Sequence, residues 1–203
     1  LIEKVVEARH DYSILAGACG FVPESGLVDR AGELKAAKKE LRLPGRKHAK
    51  ETRYFFNNAG SLARIAHERA KALDDEVVAV LFRDSDDKAS AGRGNWKDKR
   101  EYMLGGFNEE DFDRGVPMIP KPKSEAWLIC AWKNAPYQGC QALEERSGND
   151  NSPNSLKREL CDLLDGDVSP EQLRDRVRRN FRAGAGACCK SYGRSRRRNR
   201  RRC

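Results

Sequence analysis

Residues 77–87 read Val77-Val78-Ala79-Val80-Leu81-Phe82-Arg83-Asp84-Ser85-Asp86-Asp87, an apolar run that ends in a group of carboxylates. Six consecutive apolar residues bounded by charged ones predict a strand that is buried on both faces of a sheet. Asp84 and Asp86 follow this strand two positions apart, where alternating strand geometry directs both side chains the same way. Because ligands bind at the carboxyl edge of strands in an open α/β sheet, the sequence predicts a ligand site here.

The aspartates point to a divalent cation as that ligand. Carboxylates held this close repel each other, and a bound cation relieves the repulsion. Asp84, Asp86 and Asp87 offer the hard oxygen ligands that Mg²⁺, or Mn²⁺, prefers, and Mg²⁺ commonly binds through one or two carboxylates together with substrate phosphate. The pattern therefore favours metal-dependent phosphate chemistry with Asp84 and Asp86 as catalytic residues. The alternative is a solvated turn whose aspartates cap the following segment.

A second candidate group follows a short strand predicted at 116–120, which its prolines restrict to a sheet edge. Lys121 and Lys123 come next, and Glu125 lies in the first turn of a helix predicted at 125–133. If the two strands are neighbours, Glu125 lies at the same sheet edge as the aspartates. It would then complete a catalytic three-carboxylate site, with Lys121 or Lys123 facing the phosphate. The alternative is that Glu125 only interacts favourably with the helix dipole.

The loop at 93–97 combines basic residues with an aromatic one. Arg93 and Lys97, with Lys99 and Arg100 beyond them, predict contacts to a nucleic-acid backbone, and Trp96 predicts stacking on a base. The alternative is an exposed basic loop that binds nothing.

Helical periodicity dominates the rest of the chain. The clearest helix is predicted at 58–73, with Asn58 or Ser61 as its N-cap. We therefore expect an α/β fold, with a small, mostly parallel sheet flanked by helices and with a C-terminal helical part. The remaining predicted elements are a strand at 13–16, a loop at 24–30 and helices at 1–9, 31–41, 98–104, 108–114, 137–146, 155–164 and 170–181.

The net charge of +9 comes from one end of the 203-residue chain. Residues 182–203 hold nine Arg or Lys and no acid, so that the rest contains 31 basic and 31 acidic groups. The overall isoelectric point therefore gives no argument that the body binds nucleic acid. We expect a disordered tail at 182–203, which either binds polyanions or is an out-of-frame or junction-derived end. No apolar stretch approaches the roughly 20 residues of a membrane span.

The seven cysteines form no zinc-binding pattern. Their number is odd, no two have the CxxC spacing, and Cys130 and Cys161 lie in apolar helical segments. We expect free buried thiols in a reducing cytoplasm rather than a disulfide framework.

The apolar strand that ends in Asp84-Ser85-Asp86, followed by a helix and a second strand that leads into Glu125, resembles the Toprim domain. This is the metal-binding α/β domain of topoisomerases, primases and OLD-type nucleases. The chain is also similar to Toprim-like proteins of bacterial genomes, in which such a strand runs into a Ser-Glu-Ala-Trp-like helix start. The resemblance covers about residues 1–135 and implies a Toprim/Rossmann-like fold with Glu125 as a metal-site acid. Toprim domains carry a catalytic Glu at the end of their first strand, a position that would precede Leu1. We therefore expect this chain to lack its general acid/base.

These patterns together predict a Mg²⁺-dependent phosphodiester-processing enzyme, a cytoplasmic nuclease of a bacterial defence or mobile-element system. We expect a Toprim-like α/β domain at 1–135, a helical extension at 136–181 and a disordered Arg-rich tail at 182–203. Nucleic acid, DNA before RNA, is the expected partner, and a homodimer is left open. The alternative is a non-catalytic nucleic-acid-binding or interaction module whose acids are structural and whose tail supplies the affinity. A nucleotide-sugar transferase is disfavoured because no sugar-binding pattern accompanies the acids.

Overall fold

The computed structural model describes residues 6–7, 9–14, 19–37, 50–85, 95–166 and 169–180. Within these ranges the chain is mixed α/β and mostly helical, with seven helices and two strands of defined bounds. The predicted tail at 182–203 lies outside the described residues. In chain order the elements are α1 (Glu24–Ala37), α2 (Lys50–Leu73), β1 (Ala79–Phe82), α3 (Trp96–Glu109), β2 (Gly115–Met118), α4 (Ser124–Trp132), α5 (Gln141–Glu144), α6 (Leu156–Leu163) and α7 (Pro170–Asn180).

The described residues form two compact units. Those between positions 21 and 119 make the first, here called the sheet unit, which contains α1, α2, β1, α3 and β2. The others make the second, here called the helical unit, which contains α4 to α7. None of the helices in the described ranges combines the length and apolar character that a bilayer span requires.

The two strands are parallel neighbours. They pair in the register Ala79 with Gly115 through Phe82 with Met118, and the Arg83 N–H extends the pairing by donating to the Met118 carbonyl at 3.0 Å. Because α3 connects them, β1, α3 and β2 form the strand–helix–strand crossover that parallel pairing requires. The sequence left open whether these two strands are neighbours, and in the structure they are.

The expectation that β1 is buried on both faces is wrong. Ala79 and Leu81 are buried against the core at 4% and 5% exposure, whereas Val78 and Phe82 on the other face are 62% and 47% exposed. An unbroken apolar run therefore does not imply two covered faces here. Successive side chains of a strand point to opposite faces of the sheet, and in this unit the helices cover only one of the two faces.

The helices of the sheet unit begin earlier than their predicted starts. α1 includes the predicted loop at 24–30, and α2 begins at Lys50 rather than near 58. Asn58 and Ser61 are therefore not caps but buried interior residues of α2. The apolar stripe that begins with Phe55 continues through them, and tertiary packing overrides their preference for helix ends.

α3 replaces two predicted short helices with one. Asn95 is its N-cap: the Asn95 side chain accepts from the Asp98 N–H at 3.1 Å, and Asp98 accepts in return from the Asn95 N–H at 3.0 Å. This capping box fixes the helix start two residues before the predicted one. The helix ends at Glu109, and Asp111 beyond it has a φ of 51°, which prevents a second helix at 108–114.

The core of the sheet unit forms where α2 and α3 cross. Gly106 allows the two backbones to approach, because a Cβ there would lie 2.2 Å from the Phe56 carbonyl oxygen and 2.8 Å from the Ala59 Cβ. The buried members of this core are Leu27, Phe55, Ala59, Ala63, Ala66, Ala79, Leu81, Met103, Phe107, Phe112 and Ile119.

The helical unit has a smaller core and a covalent crosslink. Cys130 at the end of α4 and Cys140 before α5 form a disulfide, so the prediction of free thiols is wrong for this pair. Tyr137 and Gly139 have positive φ values of 66° and 59°, which explains why the helix predicted at 137–146 is confined to α5. The buried core residues of this unit are Ala126, Ile129, Cys130, Cys140, Leu143, Leu156, Leu160 and Leu164.

Candidate functional site

The carboxyl end of β1 carries the first predicted site residue. Asp84 follows the strand by two positions and is half-buried, and Ser85 after it is fully buried. Asp86 and Asp87 lie outside the described residues. The structure therefore describes one of the three predicted metal-binding aspartates, at the strand end where the sequence predicts it.

Lys99 lies beside this strand end. It belongs to the first turns of α3, its side chain is only 1% exposed, and its ammonium donates to the Ser85 carbonyl. The Lys99 Nζ lies over the Phe55 ring, 5.6 Å from the ring centroid. A side chain this deeply buried cannot clamp a nucleic-acid backbone, so that interpretation is wrong for Lys99. Lys97 is exposed and remains a candidate, while Arg93 lies outside the described residues.

Arg83, immediately before Asp84, is held by one residue of α1 and one residue of α2. Its guanidinium donates to the Glu24 carboxylate at 3.0 Å and stacks over the Tyr54 ring at 4.4 Å. The Tyr54 hydroxyl donates to the same carboxylate. The position of Arg83 is thus fixed from α1 and from α2, which constrains the backbone that leads into Asp84.

This polar cluster shifts two pKa values in opposite directions. The hydrogen bond from Tyr54, then the hydrogen bond and charge of Arg83, lower the pKa of Glu24 because all stabilise the carboxylate. Partial burial, followed by the hydrogen bond to Glu24, raises the pKa of Tyr54 because both disfavour the phenolate. Tyr54 is therefore a neutral hydrogen-bond donor rather than an ionised nucleophile at neutral pH.

Trp96 does not have the free indole that base stacking requires. Its Nε1–H donates to the Ile119 carbonyl at 2.9 Å, and the ring packs against the core of the sheet unit. The indole thus ties the start of α3 to the residue that follows β2, which argues for a structural role.

The second group of predicted site residues belongs to the helical unit. Glu125 is half-buried in the first turn of α4, and the Ser124 hydroxyl donates to it at 3.4 Å. Lys123 is 15% exposed and forms an ion pair with Asp150 at 2.9 Å, and half-buried Lys121 precedes a cis peptide bond to Pro122. The grouping of Glu125 with the aspartates stays a prediction.

A groove of about 630 Å³ lies at the start of α6. Its Arg146 donates to Glu159 and to the Asn154 carbonyl, and Arg158 donates to the Pro153 carbonyl at 3.4 Å. The arginines therefore pair within the unit. The groove is lined by Arg146, Ser147, Ser152, Pro153, Asn154, Ser155, Arg158, Glu159 and Asp162.

No three His, Cys, Asp or Glu side chains come together as a metal-binding group within the described part of the chain. Comparison of the chain with protein-family models, with curated proteins and with solved structures gives no match. Inferences about function therefore depend on the residues and their geometry alone.

Proposed function

We propose that the chain is a Mg²⁺-dependent phosphodiester-processing enzyme, a nuclease of the Toprim-like kind with Asp84 as a catalytic metal ligand. The supporting observation is the position of Asp84, which directly follows the first strand of a parallel β1–α3–β2 unit. Ligands of α/β sheets bind at this end of the strands. Asp86 and Asp87 are proposed as further ligands, and Glu125 as an additional acid.

The chemistry of the donors suits Mg²⁺ or Mn²⁺. Mg²⁺ keeps several waters and binds through one or two carboxylates plus substrate phosphate, so half-buried Asp84 and one neighbouring aspartate suffice. Such a cation stabilises charge on the phosphate and on the leaving oxygen. Arg83, held by Glu24 and Tyr54, keeps the approach to Asp84 in one conformation. Lys97, Arg93, Lys121 and Lys123 are proposed phosphate contacts.

DNA cleavage by the full-length protein tests this proposal. We expect cleavage that requires Mg²⁺ or Mn²⁺ and that falls at least about 100-fold in Asp84→Asn, because the amide has no charge with which to bind the cation. Asp113→Asn is the matched control, since Asp113 is an exposed aspartate of the same unit with 78% of its side chain accessible. Cleavage in the presence of EDTA, or unchanged cleavage by Asp84→Asn, contradicts the proposal.

A non-catalytic nucleic-acid-binding module is the second candidate, and the charge distribution favours it. All of the net positive charge resides in 182–203, and an arginine-rich segment binds polyanions with a strength that falls steeply as salt rises. Deletion of 182–203 separates the candidates: loss of all DNA binding, together with no metal binding by the remainder, would establish this second function.

The cytoplasmic location is also a proposal. The Cys130–Cys140 disulfide weighs against it, because reducing compartments keep such pairs as thiols.

A further inference from the structure

Lys99 occupies a core position of α3. The buried residues Lys99, Met103 and Phe107 recur every four positions, so that they share the face of the helix that packs inward. At such a position an apolar side chain is the ordinary choice. A buried ammonium is costly by itself, and its place in the first turns of a helix adds an unfavourable interaction with the positive end of the dipole. Packing alone therefore does not explain a lysine here.

The ammonium contacts the backbone directly after Asp84. Lys99 donates to the carbonyl of Ser85, and Ser85 is 0% exposed. Ser85 is bonded to Asp84 on one side and to Asp86 on the other. A contact that fixes the Ser85 peptide therefore constrains the backbone that carries the Asp84 carboxylate, which is the proposed metal ligand.

We propose that Lys99 is a positioning residue, which holds the Asp84–Ser85 backbone in the conformation that binds the divalent cation. This inference rests on the proposed function, which supplies the metal ion, and on the Lys99–Ser85 contact, which supplies the geometry. Lys99 acts through the Asp84–Ser85 backbone and not on the substrate, because its side chain is buried.

The sign of the effect on metal affinity separates this role from a purely electrostatic one. An ammonium that is only a nearby positive charge repels a divalent cation, so its removal tightens metal binding. An ammonium that holds the backbone beside Asp84 in place favours metal binding, so removal of the ammonium weakens metal binding. The two roles predict opposite changes.

The test is Mn²⁺ binding, followed by electron paramagnetic resonance, in wild type and in Lys99→Met. Methionine retains an unbranched apolar chain but neither the charge nor the donors. We expect the affinity for Mn²⁺ to fall at least about tenfold, and amide exchange of the peptide that contains Asp84 and Ser85 to accelerate by a similar factor. Lys71→Met, which removes the same charge from an exposed position on α2, is the control and should change both by less than about twofold.

Lys99→Gln retains an N–H donor one bond closer to the backbone and should give an intermediate affinity. If Lys99→Met does not fold, the same two measurements on Lys99→Gln decide. Mn²⁺ affinity that is unchanged or tighter in the folded variant overturns the inference. If wild type binds no Mn²⁺, the proposed function fails. Amide exchange of the peptide that contains Asp84 and Ser85 then still decides whether Lys99 holds Ser85, and unchanged exchange overturns the inference.

Discussion

In the sheet unit a 24-residue helix crosses a 14-residue helix over a two-stranded sheet, whereas the helices of the helical unit with defined bounds have 4 to 11 residues. A two-stranded sheet is marginal alone and needs a helical layer, which α2 and α3 supply through their core-facing sides. Short helices bury less and are individually marginal, and there the Cys130–Cys140 disulfide joins α4 to the residue before α5. Non-covalent packing thus stabilises one unit and a crosslink supports the other.

Of the changes that test this comparison, Gly106→Ala should lower the stability of its unit the most. The added methyl would lie 2.2 Å from the Phe56 carbonyl oxygen at the α2–α3 crossing, so the helices must separate. We expect a loss of about 3 kcal/mol in the free energy of unfolding of the sheet unit, measured by urea denaturation with unit-resolved hydrogen exchange.

Gly105→Ala is the matched control for this change. Its Cβ would meet only the Phe56 ring at 3.4 Å, and alanine favours the helix, so the net change should stay within about 1 kcal/mol. Equal effects at the two glycines would show that the close crossing is not what stabilises this unit.

The second prediction concerns the crosslink of the helical unit. The double variant Cys130→Ser/Cys140→Ser releases a closure between residues 10 apart, which by chain entropy costs about 2–3 kcal/mol. Hydrogen exchange in α4 and α6 should report this loss, and a reductant should produce it in wild type but not in the double variant. Cys161→Ser, which removes a thiol outside the disulfide, is the control. If reductant does not change hydrogen exchange in the wild type, the disulfide does not stabilise the helical unit, and the two units do not differ in the way described.

The smallest predicted effect is at Glu24. Its pKa is lowered in the folded protein, so the stability that it contributes is present above its ordinary pKa of 4.5 and is lost as the pH falls through the lower folded value. Compared with Glu24→Gln, wild type should lose less than about 1 kcal/mol between pH 7 and pH 3, because 59% of the side chain is exposed.

Tyr54→Phe should reduce this pH dependence, because the Tyr54 hydrogen bond is the largest single cause of the lowered pKa of Glu24. The ring that lies under Arg83 is retained in this variant. Identical acid unfolding of wild type, Glu24→Gln and Tyr54→Phe would mean that the cluster contributes nothing to the stability of the sheet unit.

Local sequence signals predicted which helices and strands exist better than where each one begins and ends. The apolar run before Asp84 and the periodicity in α2 are strong signals, and both elements exist. Asn58 and Ser61 misled because cap-forming residues are equally compatible with a buried helix interior once neighbouring positions are apolar. The exposure of one face of β1 could not be predicted, because the apolar character of its residues does not indicate which of the two faces a helix covers.

The contacts around the strand end depend on long-range geometry. Glu24 is 30 positions from Tyr54 and 59 positions from Arg83, and no spacing rule links these three residues. The disulfide likewise lacks a motif, since only the turn between α4 and α5 brings its cysteines together. Lys99 did have a signal: a lysine in helical register with Met103 and Phe107 marks a charge in the core.

The claim that β1 ends in a metal ligand is tested most directly by titration of the chain with Mn²⁺, monitored by electron paramagnetic resonance. Wild type and Asp113→Asn should bind with equal affinity, and Asp84→Asn should bind at least about tenfold more weakly. Equal binding by Asp84→Asn, or no binding by wild type, would contradict the assignment of Asp84 and with it the metal-dependent function.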